Sequence, residues 1–355
     1  MNKLREEIIN KNKLESNFKY YVLGIDLGGT NLNLCIAGVN KNKAVFLIKF
    51  HFYKKNIDSI IDPINKVLSF SKEKYNIEIK KACIGVPGIV SSDKKHANLT
   101  NISWNISSKE IIKNTNLEKI ILINDFQCIG YGFNCIDNKD IIKIKSGKND
   151  EKKVKSIVGA GSGLGKAVLI FDKESSIYKP LESEGGHSDF PVHNKFELDL
   201  NNYVKIKNKI FEYITYEELL SGKGLENIYL YISNRSNKIN LKIHKEILNS
   251  NDKASIISKY KKDDENCKLT FELFTIFYAR CLKNFALDTL SKGGIYIAGG
   301  IAIKNKEIFE NKKFIEEFES VYKKTSILKD IPVYLILNYD ISLYGACIAA
   351  IYLLN

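Results

Sequence analysis

Three runs of apolar residues follow one another near the start of the chain, each patterned as a strand. The run "YYVLGIDLGG", residues 20–29, is nearly continuous and reads as a buried strand. Next, "NLNLCIAGV", residues 31–39, alternates polar and apolar positions as an antiparallel partner should, and "AVFLIKFHF", residues 44–52, is rich in β-branched and aromatic residues. Ile57, Ile60, Ile61, Ile64, Val67 and Leu68 then share one helical face, after which "KACIGVPGIV" (81–90) and "EKIILINDF" (118–126) return to strand.

The second half repeats this outline in shape, without sequence identity. "KSIVGAGSGLGKAVLIF" (155–171) reads as strand, glycine turn, strand. A helical segment from about Phe271 to Leu290 leads into "GGIYIAGGI" (293–301), "DIPVYLIL" (330–337) supplies a last strand, and "SLYGACIAAIYLL" (342–354) reads as a helix. The stretches 194–215 and 234–265 read as helical insertions or loops. Two hairpin-plus-helix units in tandem predict a pair of α/β domains with a cleft between them. The boundaries expected are a charged extension over 1–19, a small domain from 20–136 plus 338–355, and a large domain over 137–337.

With 355 residues, 44% of them hydrophobic, the chain has core enough for two domains. The first twenty residues contain acids and no long apolar stretch, unlike a secretory or targeting segment, and no window holds about 18 apolar residues as a membrane-spanning helix would. A soluble cytoplasmic protein with no membrane partner is the expectation. The net charge of +13 comes from lysines spread along the whole chain, not from a patch interleaved with aromatics, so nucleic acid is not an expected partner. Seven cysteines without a C-x-C or C-x-x-C pair predict reduced thiols packed as small apolar residues.

Candidate chemistry gathers at glycine turns and strand ends. "GIDLGGTN" (24–31) is either an ordinary hairpin turn or a cradle for phosphate, and "GAGSGLG" (159–165) repeats its strand-turn-strand setting. Two such turns could offer backbone N–H groups to a polyphosphate, with Thr30, Asn31 and Ser162 adding side-chain donors. Neither fits a Walker loop or G-x-G-x-x-G opening a helix. Asp26, beside the first turn, either caps that turn or holds Mg²⁺, since a carboxylate next to phosphates is repelled unless a cation intervenes. Asn124 and Asp125 end a very apolar strand, where an Asp can accept a hydroxyl proton and where a helix cap is the alternative. "ESEGGHSDF" (182–190) brings Glu184, His187 and Asp189 around a glycine pair, either to grip sugar hydroxyls or as a polar turn. Trp104 in "TNISW" (100–104) reads as a core anchor.

The order "DLGGTN", "TNISW", "LINDF", "GAGSGLG", "EGGHSDF", "EELLSGKGL", "IAGGI" resembles the bacterial glucokinase family, within the sugar kinase, actin and Hsp70 fold group. The resemblance runs from about Tyr20 to the carboxyl end. It implies a two-domain actin-like (ribonuclease H-like) ATPase fold and ATP-dependent transfer to the 6-hydroxyl of glucose, with ATP and Mg²⁺ as cofactors; a homodimer is the base-rate expectation for a cytoplasmic enzyme. Asp125 matches the family's general base, and Asn101, Asn124, Glu184, His187 and Glu217 match positions that bind sugar hydroxyls. Gly28, Gly29, Thr30 and Asn31 match the first phosphate loop, Gly161, Ser162 and Gly163 the second, and Gly299 and Gly300 the turn near adenosine. Asp26 matches the carboxylate near Mg²⁺. The chain departs from the pattern at Asn33, where the family often carries a basic residue, and at Ser162, which replaces a usual Thr. The related sugar kinases and repressors with a structural zinc are set aside, because their cysteine cluster after the Gly-His motif is missing. Kinases for other hexoses and a non-catalytic sugar sensor on the same fold are the alternatives.

Overall fold

The computed structural model describes residues 5–99, 104–148 and 150–354. They divide into a first unit of Met1–Asp137, Asp172–Glu182 and Asn338–Asn355, and a second of Asn138–Phe171 and Ser183–Leu337.

The first unit is built from β1 (Arg5–Ile8), β2 (Tyr20–Leu27), β3 (Asn31–Asn40), β4 (Lys43–Tyr53), α1 (Ile61–Tyr75), β5 (Lys81–Val86), β6 (Gly88–Val90), β7 (His96–Leu99), β8 (Asn105–Ser107), α2 (Ser108–Asn114), β9 (Lys119–Asn124) and α3 (Asp125–Gly132). Its main sheet has the order β1-β4-β3-β2-β5-β9. β2 to β4 form the expected antiparallel meander, while β5 and β9 pair parallel beside β2. Val22, Leu23 and Ile25 of β2 are fully buried, which explains an apolar run too continuous for a half-exposed strand.

The charged extension expected over 1–19 supplies the edge strand of this sheet. β1 pairs antiparallel with β4 from Arg5↔His51 to Ile8↔Ile48, and Leu14 beyond it is buried. An edge strand tolerates charge because only one of its sides needs a partner, so β1 carries no apolar signature. β6, β7 and β8 form a small separate sheet that the residue pattern does not announce.

The second unit carries β10 (Ile141–Lys145), β11 (Lys155–Ala160) and β12 (Leu164–Asp172). After β13 (Ile177–Leu181), which lies in the 172–182 segment of the first unit, come α4 (Lys195–Asn208), α5 (Gly222–Ser233), α6 (Leu241–Asn249), α7 (Lys253–Lys259), α8 (Glu265–Thr289), β14 (Ile295–Ala298), α9 (Gly300–Lys304), α10 (Lys312–Glu319), α11 (Thr325–Asp330) and β15 (Val333–Ile336). Strands of this unit run in the order β10-β15-β14-β11-β12. The polar stretches read as helices or loops are helical, and Asn194, Asn240 and Asp252 cap α4, α6 and α7 with side-chain oxygens.

α8 is the spine of this unit, with Phe274, Phe277, Tyr278 and Cys281 buried along it. Its Arg280 forks onto Glu197 at 2.8 and 3.2 Å and reaches Glu317 at 3.0 Å through Nε.

The chain returns to the first unit as α12 (Ile341–Leu353). Gly24 admits this helix to the sheet, since a Cβ there would stand 2.7 Å from the Cys347 nitrogen and 2.8 Å from the Leu343 oxygen. Gly345 does the same against α3, where a Cβ would lie 1.7 Å from the Cys128 oxygen. All seven cysteines are free thiols, six of them buried. No helix among the described residues is long and apolar enough to cross a membrane.

Candidate active site

In the first unit, strand register brings the candidate carboxylates to one edge of the sheet. Asp26 pairs with Gly85, Gly85 with Ile123, and Val86 with Asn124, so parallel β2, β5 and β9 end together. With β5 between them, Asp26 and the start of α3 are roughly 10 Å apart by strand spacing.

Asp26 accepts a hydrogen bond from Ser342 Oγ at 2.8 Å, and the Asn33 side chain beside it also favours the charged carboxylate. Burial pushes its carboxyl above the usual range, against the lowering effect of Ser342 and Asn33 and with Asp340 adding repulsion. A carboxylate so placed could hold a cation.

The turn after Asp26 is closed by Gly28 N–H donating to the Asn31 oxygen at 2.9 Å. Gly29 and Thr30 are exposed at its tip. A Cβ on Gly29 would meet nothing within 4 Å, and its φ is not left-handed, so no protein atom requires glycine there. Asn31 Oδ1 is buried without a hydrogen-bond partner. An orphaned polar atom beside an open backbone turn fits a bound polar ligand.

Asn124 is the N-cap of α3. Its Oδ1 accepts from Phe126 N–H at 2.8 Å, its own N–H donates to Gln127 at 3.3 Å, and its Nδ2 donates to the Gly88 oxygen at 3.4 Å. Of the two readings the sequence left open, the cap is therefore present for Asn124. Asp125 follows as the first helical residue, with Oδ1 2.9 Å from the same Phe126 nitrogen. Asn101 lies outside the described residues, whereas Trp104 packs partly buried against the core.

In the second unit, Gly161, Ser162 and Gly163 form the turn between β11 and β12, closed by Gly161 N–H on the Gly163 oxygen at 2.8 Å. Glu217 props this turn. Its Oε2 accepts from Leu164 N–H at 2.8 Å, and a Cβ on Gly163 would fall 2.5 Å from that same oxygen. Gly222 N–H, at the start of α5, donates to the Gly161 oxygen at 2.9 Å.

Gly299, at φ 93°, ends β14 where a Cβ would stand 2.6 Å from the Ala160 oxygen. The two glycine turns of this unit are thereby packed together. Gly161 and Gly300, like Gly29, would meet nothing within 4 Å.

"EGGHSDF" sits beside the strip that holds Glu217. Phe190 N–H donates to the Ile214 oxygen and Tyr216 N–H to the Ser188 oxygen, each at 3.0 Å. Glu184 and His187 are exposed, 3.6 Å apart, and Asp189 bridges to Thr215. Neighbouring Glu218 is tied to Thr215 as a cap, which leaves Glu217 as the glutamate of that pair on the glycine turn.

Ser342 and His51 are not singled out by their sequence context, and Asn33 stands out only as a departure from the family pattern. Ser342 comes 316 positions after the carboxylate it bonds, and Asn33 and His51 become neighbours only once strand register is set. Among the described residues no three His, Cys, Asp or Glu side chains converge on a metal position. A cation at Asp26 would complete its shell with water and phosphate oxygens, the habit of Mg²⁺.

The family model described as Glucokinase matches residues 23–352. The glucokinase of Trichormus variabilis is 30% identical over 343 residues, spanning 93% of this chain and 98% of its own. The fold is that of a glucokinase from Balamuthia mandrillaris solved in complex with glucose, with TM-score 0.77, 22% identity and 93% of each chain covered. It is also that of a ROK family glucokinase from Streptomyces griseus solved with glucose and AMPPNP, with TM-score 0.64, 15% identity, and 93% and 99% of the two chains covered.

Proposed function

The chain belongs to the glucokinase family, and on that premise we propose that it transfers the γ-phosphoryl group of ATP to the 6-hydroxyl of glucose. The observation that carries the nucleotide half of this reading is the set Gly29, Gly161 and Gly300. These glycines follow β2, β11 and β14, and no protein atom requires any of them to lack a side chain. Their role is to keep backbone open to a ligand that approaches closely, as phosphates do at glycine turns.

Roles are assigned residue by residue. Gly28 to Asn31 and Gly161 to Gly163 take the phosphates, with Thr30 and Ser162 as hydroxyl donors, and Gly299–Gly300 takes the adenosine side. Asn124, Glu184, His187 and Glu217 are assigned to sugar hydroxyls, with Asn101 as a further candidate. Because the Asn124 amide already caps α3, its contribution is to fix the start of that helix and hence Asp125.

Mg²⁺ fits the residues present: a desolvated carboxylate at Asp26 and an unsatisfied Asn31 oxygen beside an open turn. When bound, the ion supplies positive charge that offsets charge spreading over the transferred group. Asp26 would hold it, directly or through water. Asp125 accepts the proton from the sugar hydroxyl as that oxygen attacks phosphorus. No covalent enzyme intermediate is needed, since phosphoryl transfer asks the protein for positioning and electrostatic stabilisation. The same reading takes the enzyme as a cytoplasmic homodimer, the commonest assembly of soluble enzymes.

ADP release from Mg·ATP, followed with and without glucose, tests the activity. Asp125→Asn should keep glucose affinity and lose about 10²-fold or more in kcat, the usual worth of a general base. Near-normal turnover of that variant would remove Asp125 from the role, and preference for mannose, fructose or an N-acetylhexosamine would overturn glucose as substrate.

A further inference from the structure

We propose that Asn33 and His51 are positioning residues for the nucleotide's cation, acting through Asp26. This rests on the reading of Asp26 as the carboxylate nearest Mg²⁺.

Asp26 pairs with Asn33 across β2 and β3, and Asn33 with His51 across β3 and β4. Direct cross-strand partners share one face of a sheet, so the three side chains form a row. Along that row His51 Nδ1 and Asn33 Oδ1 are 2.8 Å apart, and the Asn33 side chain lies beside its cross-strand partner Asp26 and favours its charged form. The order of donors follows from chemistry. A carboxylate only accepts, so Asn33 turns its Nδ2 to Asp26 and its Oδ1 to His51, which therefore carries its proton on Nδ1.

The His51 ring is itself braced edge-on by Tyr53, with centroids 4.7 Å apart and planes at 89°. Ser342 Oγ supplies the second fixed donor, from α12.

Every one of these donors to Asp26 is neutral. Lys49, also on β4, is held by Asp340 at 2.7 Å and Glu7 at 3.0 Å. The row therefore sets the orientation of the Asp26 carboxylate without cancelling its charge. A carboxylate held this way presents its remaining acceptor capacity to a cation in one geometry, as outer hydrogen-bond partners do for metal ligands. Lys49, by contrast, balances Asp340, whose like charge would otherwise act undiminished on Asp26.

The test compares Asn33→Leu, His51→Phe, His51→Asn and Asp26→Asn in the full chain. Asparagine places an amide N–H near the position of histidine Nδ1, so His51→Asn is the conservative rescue. Two readouts are taken: the Mg²⁺ concentration giving half-maximal rate at saturating glucose, and ATP affinity by titration calorimetry with Mn²⁺ and with the metal chelated. Thermal unfolding verifies that each variant is folded.

Asn33→Leu and His51→Phe should raise the Mg²⁺ requirement about tenfold, the lower end for loss of an outer partner of a metal ligand. They should shrink the Mn²⁺-dependent gain in ATP affinity equally, leave the KM for glucose unchanged, and His51→Asn should restore most of the loss. If Asp26→Asn loses the metal dependence while Asn33→Leu keeps it, or if His51→Asn is as impaired as His51→Phe, the positioning role is overturned and the reading of Asp26 stands. If Asp26→Asn leaves both readouts unmoved, that reading falls and takes the proposal with it.

Discussion

Replacing Gly29 with alanine should separate a glycine kept for a ligand from one kept for packing, with Gly345→Ala as its counterpart in the same unit. At Gly29 the added methyl meets nothing within 4 Å and the backbone is not left-handed. The substitution then acts on stability mainly through the unfolded chain, where alanine has fewer conformations to lose, and should stabilise by about 0.4–1 kcal/mol. At Gly345 the methyl would stand 1.7 Å from the Cys128 carbonyl oxygen, so α12 and α3 must move apart. Overpacking of that kind costs about 3 kcal/mol, or roughly 6–12 °C in Tm for a unit of this size.

Function should run the other way. A phosphate seated on the first glycine turn loses a charge-assisted hydrogen bond when a methyl occupies its place, worth about 1.5–3 kcal/mol. That corresponds to a fall of roughly 10- to 150-fold in kcat/KM for ATP. Thermal unfolding of both variants, with initial rates against ATP at saturating glucose, reads out the two axes. The reasoning fails if Gly29→Ala turns over ATP like the parent, or if it loses several degrees in Tm, since then the glycine serves the fold.

Other substitutions probe the second unit. Arg280→Met should cost about 3–5 kcal/mol in chemical denaturation because it leaves the buried Glu197 carboxylate without its cation, and adding Glu197→Leu should recover much of the loss. Glu217→Ala removes the acceptor of Leu164 N–H and a group assigned to the sugar hydroxyls, so the second glycine turn should loosen and KM for ATP and for glucose should each rise severalfold. Lys155 is buried with its ammonium on the Gly293 oxygen at 2.7 Å, and burial lowers its pKa to about 8 from 10.5. Between those values the unfolded chain binds more protons than the folded one, so stability contributed by this residue rises with pH across that window. Melting curves from pH 8 to pH 10 should show that rise relative to Lys155→Met, and parallel curves would contradict it.

Much of the architecture was legible because burial writes itself into hydrophobic pattern. β2 is apolar on both faces because both are covered, and α8 carries its aromatics where the second core needs them. The glycine turns were visible as motifs, yet what separates Gly29, Gly161 and Gly300 from Gly24, Gly186 and Gly345 is the space in front of each. Composition cannot distinguish a glycine that admits a helix from one that admits a ligand.

The sequence by itself determined the order of the main core strands and helices, the strand ends that hold Asp26 and Asp125, and the family to which those motifs belong. Tertiary structure alone decided what surrounds each group. It made the charged leader an edge strand, because edge pairing is satisfied by backbone and leaves side chains free to be polar. It gave the Asn124 amide to a helix cap and the Glu217 carboxylate to the second glycine turn. It also set Asp26, Asn33 and His51 in one row, and brought Ser342 to the same carboxylate from far along the chain. Hydrogen bonds of this kind depend on register and docking to within about an ångström, a precision that hydrophobic periodicity does not encode.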